Sequence, residues 1–337
     1  MIHPMHLTRR KFVQLTAVAA ASLPGTASIC AAAPEAATEG LPRRTLGKTK
    51  ESVTILGLGC AYLSHDRTAR DRRGSEAHAR AIIDAALEGG IRYFDTAPNY
   101  FLSEERLGPA LAPVRDRVFL ATKLDHADAK GAEEDLARSL KLLKTDHVDL
   151  LLLHGLGLET FEDLEALQTP SGALTYLRHA KEKGLTRFIG FSSHPPRMAA
   201  QRLFATANDL DVIQVFVNYI SRAENNVEQH LVDFARRSDL GVIAMKVLGG
   251  DGQLADDYDR AFRYTLSVAG VHCALIGASS PAEVKRAVQA AKAFRPLTDT
   301  EMREAIAHGR ELHESKSRKA ALLRRHRDRD CGNLAFA

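Results

Sequence analysis

From residue 42 to about residue 295, apolar runs of six to eight residues alternate with amphipathic stretches whose apolar positions recur at helical spacing. The runs are ILGLGCA, IRYFDT, RVFLATK, HVDLLLLH, TRFIGF, DVIQVFV, GVIAMKV and HCALIGA. Each is near-continuously hydrophobic, as a strand buried on both faces requires. Between the first two, EAHARAIIDAALEGG repeats Ala79, Ile82, Ile83 and Leu87 on one helical face and stops at Gly89-Gly90. The remaining intervals, including PRMAAQRLFATA over 196–207 and VEQHLVDFARRS over 227–238, have the same character. Eight strands followed by eight helices predict a closed parallel (β/α)8 TIM barrel.

The competing fold, an open doubly wound sheet, needs a glycine-rich G-x-G-x-x-G turn after its first strand. LGLGCAYL matches that only in part. Ahead of the barrel, RRTLGKTKESVTILGLG places the turn Gly47-Lys48 between residues of strand character, which predicts an N-terminal hairpin over the barrel floor. After residue 297 the pattern turns helical and basic and ends in SRKAALLRRHRDRDCGNLAFA, read as extra C-terminal helices and a tail. The expected organisation is a leader and linker over 1–37, the barrel over 38–297 and the extension over 298–337.

The first residues differ in kind. TRRKFVQLTAVAAASL sets an arginine pair before a modest apolar segment, and the small-residue run CAAAPEAATEG follows. Such a leader reads as a signal peptide, too short and alanine-rich for a stable membrane anchor, and Arg9-Arg10 resembles a twin-arginine export signal. The expected location is therefore periplasmic or otherwise exported. The formal net charge of +4 in 337 residues carries no nucleic-acid footprint. Cys30, Cys60, Cys273 and Cys331 lie far apart without metal-ligand spacing, so neither a disulfide framework nor a metal site is expected.

In a barrel of this kind chemistry sits at the C-terminal ends of the strands. Asp95 ends the second apolar run, Tyr100 follows in its loop, Lys123 ends the third run and His154 the fourth. Any one of these has an ordinary structural reading, but four on consecutive units form a constellation.

FDTAPNYFLSEERLGPAL, ATK and LLLLH are similar to segments of the aldo-keto reductases, and RRTLGKTKESVTILGLG resembles that family's opening. The resemblance implies reversible hydride transfer between a nicotinamide and a carbonyl, with Tyr100 as general acid/base. Lys123 would favour the phenolate, Asp95 would hold the lysine charged, and His154 would donate to the carbonyl oxygen. It also implies cofactor contacts from Ser192, Ser193 and Gln214, from Met245 and Lys246, and from the turn Gly277, Ala278, Ser279 and Ser280 at a helix N-terminus. Ser193 stands where an asparagine is often found, and Met245 where many members present an aromatic ring. Glu283, near that turn, would repel a ribose 2′-phosphate, so of NAD(H) and NADP(H) the former is favoured.

Phe101, Tyr62 and Tyr219 are candidate pocket aromatics, and His194 is a further candidate for the site. The implied partners are a small-molecule carbonyl or sugar-like substrate and, for the leader, the export machinery. Two other functions stand beside it: an exported isomerase, epimerase or lyase that uses the same four residues with a permanently held nicotinamide, and a non-catalytic cofactor-binding regulatory barrel, against which the intact set of four argues.

Overall fold

In a computed structural model the chain forms a closed barrel of eight parallel strands with a hairpin below it. The structure describes residues 40–64, 74–155, 165–193, 209–250 and 252–332. The leader, His194 and the helix expected over 196–207 lie outside the described residues.

The hairpin pairs β1 (Arg43–Thr45) antiparallel with β2 (Ser52–Thr54) around a 3-10 turn at Gly47–Thr49. The barrel strands are β3 (Leu56–Gly59), β4 (Tyr93–Asp95), β5 (Phe119–Leu124), β6 (Val148–His154), β7 (Thr186–Ser193), β8 (Val212–Phe216), β9 (Gly241–Met245) and β10 (Cys273–Gly277). They close in sequence order, with β10 pairing β3. All eight predicted apolar runs are strands.

Period-two alternation sorts each strand between two cores. On β6, Leu150 and Leu152 point into the barrel with Tyr93, Phe119, Ile243 and Leu275, while Leu151 and Leu153 pack outward against the helices. Inside, Leu46 and Val53 of the hairpin region plug the floor. Gly57 is required by closeness: a Cβ there would lie 2.6 Å from Leu275 Cδ2 and 2.9 Å from Tyr93 Cδ1.

The helices that cover the barrel are α1 (Glu76–Glu88), α2 (Ser103–Leu111), α3 (Ala129–Leu143), α4 (Ala173–Glu182), α5 (Tyr219–Glu224), α6 (Asp233–Arg237), α7 (Tyr258–Ser267) and α8 (Pro281–Lys292). Ser75 caps α1, accepting from His78 N–H, and Asp128 caps α3, accepting from Gly131 N–H. The segment read as one helix over 227–238 is instead a π-helical turn at Glu228–Val232 running into α6, and α5 precedes it unforeseen. Asn218 starts α5 with a reciprocal capping pair to Ser221, a short-range signal that a search for long apolar periodicity passes over.

The basic C-terminal stretch forms one helix, α9 (Asp299–Gly332). It docks on α5: Met302 and Ala305 are buried, and a Cβ on Gly309 would lie 2.0 Å from Tyr219 O.

Candidate active site

Counting alternate residues up each strand brings Asp95, Lys123, His154, Ser192, Gln214, Met245 and Gly277 to the inner face at the barrel's C-terminal end. Register agrees: His154 pairs across to Ser192, and Ser192 to Gln214. A cavity of about 420 Å³ opens there, lined by Tyr100, Lys123, His154, Ser192, Ser193 and Met245, with Lys246 at its edge. A second cavity, about 330 Å³, lies at the opposite end among cross-paired charges such as Arg115, Asp149 and Arg187.

Lys123 and Asp95 are almost fully buried, and Lys123 Nζ donates to Asp95 Oδ1 at 2.7 Å and to Thr96 O at 2.8 Å. Burial opposes the lysine's charge, but Asp95 and Tyr100 outweigh it, and the net shift of the ammonium is upward. Asp95 Oδ2 is buried without a partner among the described residues.

Tyr100 is fixed by a tight turn, its N–H donating to Ala97 O and its carbonyl accepting from Ser103 N–H at the start of α2. Its ring lies 5.0 Å from Lys123 Nζ. Burial pushes the phenol above its ordinary range, against the downward pull of Lys123. The lysine therefore moderates the effect of burial but does not bring the phenol below its usual value, so the Tyr100 hydroxyl keeps its proton at neutral pH.

The His154 ring stands edge-on to Tyr100 at 5.7 Å. Its Nδ1 faces Asp125 Oδ1 at 2.5 Å. An ionised carboxylate only accepts, so the proton lies on Nδ1. The expected donation from His154 to a carbonyl oxygen then requires a second proton on Nε2, a condition the sequence did not reveal. Asp125 itself was missed, although continuing the alternation from Lys123 puts it on the inner face.

Ser192 and Ser193 are buried at the cavity wall. Gln214 is buried behind it: its amide nitrogen approaches Met245 Sδ at 3.9 Å, and its Oε1 has no partner among the described residues. A buried amide oxygen beside two buried serines suits the carboxamide of a nicotinamide, which has both a donor and an acceptor. Lys246 adopts a left-handed φ of 56°, its carbonyl accepting from Asn218 Nδ2 at 2.8 Å and its Nζ 5.8 Å from the Phe216 ring centre.

The turn Gly277, Ala278, Ser279, Ser280 leads into α8 as expected, with Ser280 as its N-cap. Glu283 folds back on it, its carboxylate accepting from Ser279 N–H at 2.7 Å and lying 3.3 Å from Ser279 Oγ. One amide of the anion-suited turn is thus already occupied by a carboxylate of the chain. His78 Nε2–H donates to Ser279 O at 2.8 Å and ties the turn to α1.

Of the candidate aromatics, Tyr62 and Phe101 are exposed by 40% and 75%, and both stand on the loops at this end of the barrel. Phe101 has a left-handed φ of 51°, a conformation that disfavours a bulky side chain. Tyr219 is not a pocket residue: it is buried among Tyr264 and His308, with its hydroxyl donating to Asp257 at 2.7 Å. The docking of α9 on α5 puts it there.

A family model described as the aldo/keto reductase family matches residues 56–262. The protein named uncharacterized oxidoreductase YqkF of Bacillus subtilis is 26% identical over 314 residues, covering 79% of this chain and 96% of that protein. An aldo-keto reductase of Mycolicibacterium paratuberculosis is 32% identical over 176 residues, 51% of this chain and 54% of its own. Among solved structures, the aldo-keto reductase AKR11C1 from Bacillus halodurans in its holo form superposes with a TM-score of 0.65 at 25% identity, covering 80% of this chain and 96% of that one.

Proposed function

The chain belongs to the aldo/keto reductase family and is an NAD(P)-dependent oxidoreductase acting between carbonyl and alcohol; on that premise we propose that Tyr100 is its general acid/base. The observation that carries this reading is the buried series Asp95, Lys123, Tyr100 beneath one wall of the cavity that His154 also lines.

The reduced nicotinamide supplies a hydride to the carbonyl carbon when bound. Tyr100 gives its phenolic proton to the carbonyl oxygen, and the phenolate recovers a proton from solvent. Lys123 faces the phenol and stabilises the negative charge left on it, and Asp95 keeps that lysine charged and aimed. Ser192, Ser193 and Gln214 would hold the carboxamide, Met245 would meet the ring face, and Lys246 with the 277–280 turn would face the phosphates.

NAD(H) is the preferred dinucleotide in this reading. Glu283 places a negative charge on the turn where a 2′-phosphate would have to be accommodated, and a carboxylate suits a ribose hydroxyl instead. The arginine pair and apolar segment of the leader support export in folded form by the twin-arginine route, with the dinucleotide loaded beforehand.

Tyr100→Phe tests the assignment. Reduction of a simple aldehyde is expected to fall by about 10²–10⁴-fold, the worth of a positioned proton donor. Dinucleotide affinity, measured by fluorescence quenching, should stay within about twofold. Near-normal turnover in the variant would remove Tyr100 from the role.

A further inference from the structure

We propose that the cavity on the barrel floor is a second ligand site, which binds the doubly charged phosphate group of a small organic phosphate monoester. It opens at the opposite end of the barrel from the cavity lined by Tyr100 and His154, so its ligand is neither the carbonyl substrate nor the dinucleotide.

Four segments distant in sequence bring five arginines to this cavity of about 330 Å³. Arg43 comes from β1, Arg92 from just ahead of β4, Arg115 and Arg117 from the 3-10 segment Ala112–Arg117 ahead of β5, and Arg187 from β7. Two of the five are already paired. Arg115 Nη1 lies 2.9 Å from Asp149 Oδ2, and Arg187 pairs with Asp149 Oδ1 at 2.8 Å and with Glu51. The other three have no carboxylate within ion-pair distance among the described residues. Arg43 Nε donates to Ser52 Oγ at 3.0 Å and its Nη2 to Ser52 O, while Arg92 Nη1 donates to Leu87 O at 2.9 Å and to Ile91 O at 2.8 Å. Arg117 makes no hydrogen bond or ion pair among the described residues. Like charges face each other here: burial and then Arg92 push the Arg43 guanidinium below its ordinary range, against the pull of Glu51.

The charge count selects the ligand. Five guanidiniums and the three carboxylates Glu51, Asp116 and Asp149 line the cavity, which leaves two positive charges in excess. A phosphate monoester above its second pKa, near ~6, carries the opposite charge in full. Its three terminal oxygens equal in number the three guanidiniums that lack a carboxylate, and a guanidinium donates to such oxygens in pairs. Val53, Val118 and Phe119, all buried, add an apolar wall for the organic body of the ester. The volume is that of a small-molecule pocket, at the lower end of the range of about 300–1,000 Å³. A ligand held there ties the hairpin to the segment ahead of β5.

Isothermal titration calorimetry of the full chain with phenyl phosphate at low salt tests the site, with and without saturating NAD+. Saturable one-to-one binding is expected, unchanged by NAD+ and weaker as salt rises. Arg43→Gln and Arg117→Gln should each lower the affinity by about tenfold. Thermal melts without ligand check that both variants fold, and Arg117→Gln, which breaks no hydrogen bond among the described residues, keeps the test valid if Arg43→Gln is unstable. Absence of saturable binding, or an affinity that Arg117→Gln leaves unchanged, overturns the site. Binding that NAD+ abolishes places the anion on the 277–280 turn and overturns it too. Succinate, a dianion without a phosphate, and inorganic phosphate, which lacks the organic body, should both bind more weakly than phenyl phosphate; equal or tighter binding of either overturns the ligand class.

Discussion

Replacing Asp95 with alanine should cost more in stability than its small size suggests. The carboxylate is the charged partner of Lys123, and both residues are buried, at 3% and 1% exposure. With Asp95 gone, Lys123 Nζ keeps Thr96 O, at 2.8 Å, and its hydrogen bond to Tyr100, and an ammonium stays in a dry interior without its counter-charge. Breaking one side of a buried pair costs about 3–5 kcal/mol. At roughly 2–4 °C per kcal/mol, the melting point should fall by about 10 °C.

The pH dependence has a definite sign. In the wild type the Lys123 ammonium is raised above its ordinary value, so the pair's contribution is fully present at neutral pH and is lost only on the alkaline side. In Asp95→Ala burial acts unopposed, the lysine sheds its proton more readily, and the gap to wild type should narrow between pH 7 and 9.5. The double variant Asp95→Ala/Lys123→Met removes the stranded charge, and it should recover most of the lost stability while remaining inactive. Thermal melts of the three proteins at both pH values are the assay. A single-variant loss under about 1 kcal/mol, or a double variant no more stable than the single, would refute the reasoning that the pair is a mutually dependent buried unit.

Two further outcomes follow from other parts of the chain. Glu283→Gln removes the negative charge from the 277–280 turn, and the ratio of NADP(H) to NAD(H) affinity should rise by about tenfold in equilibrium binding; a wild type that already prefers NADP(H) by that factor would contradict the role given to Glu283. Burial pushes the Glu228 carboxyl up to about 7 from its ordinary 4.5, so the folded state holds that proton longer than the unfolded chain and stability should fall as pH rises from about 4.5 to about 7. Glu228→Gln should remove this component from the melting curve's pH dependence, and a difference between the two proteins that is flat over that range would count against it.

Much of the barrel was legible in the chain because each strand is buried on both faces, and such strands must be apolar runs bounded by turns. The same two-residue period fixed which side chains point inward, so Asp95, Lys123, His154, Ser192 and Gln214 could be assigned to one end before any contact was known. Tyr100 was legible from its place in the loop behind β4. Contacts that join distant segments were not. Asp125 was within reach of the alternation, but its partner is 29 residues away on β6, and only closure of β5 against β6 brings them together. Tyr219 looked like a pocket residue until α9, beginning at Asp299, packed over it. Glu283 read as a charge that would repel phosphate, but its capture of the Ser279 amide depends on the α8 turn geometry. The shift of the Tyr100 phenol was settled by depth: local sequence shows the lysine that lowers it, and only the packed structure shows the burial that raises it further. Periodicity is a property of each segment and survives in the sequence, whereas desolvation and long-range pairing are sums over segments and exist only once the barrel has closed.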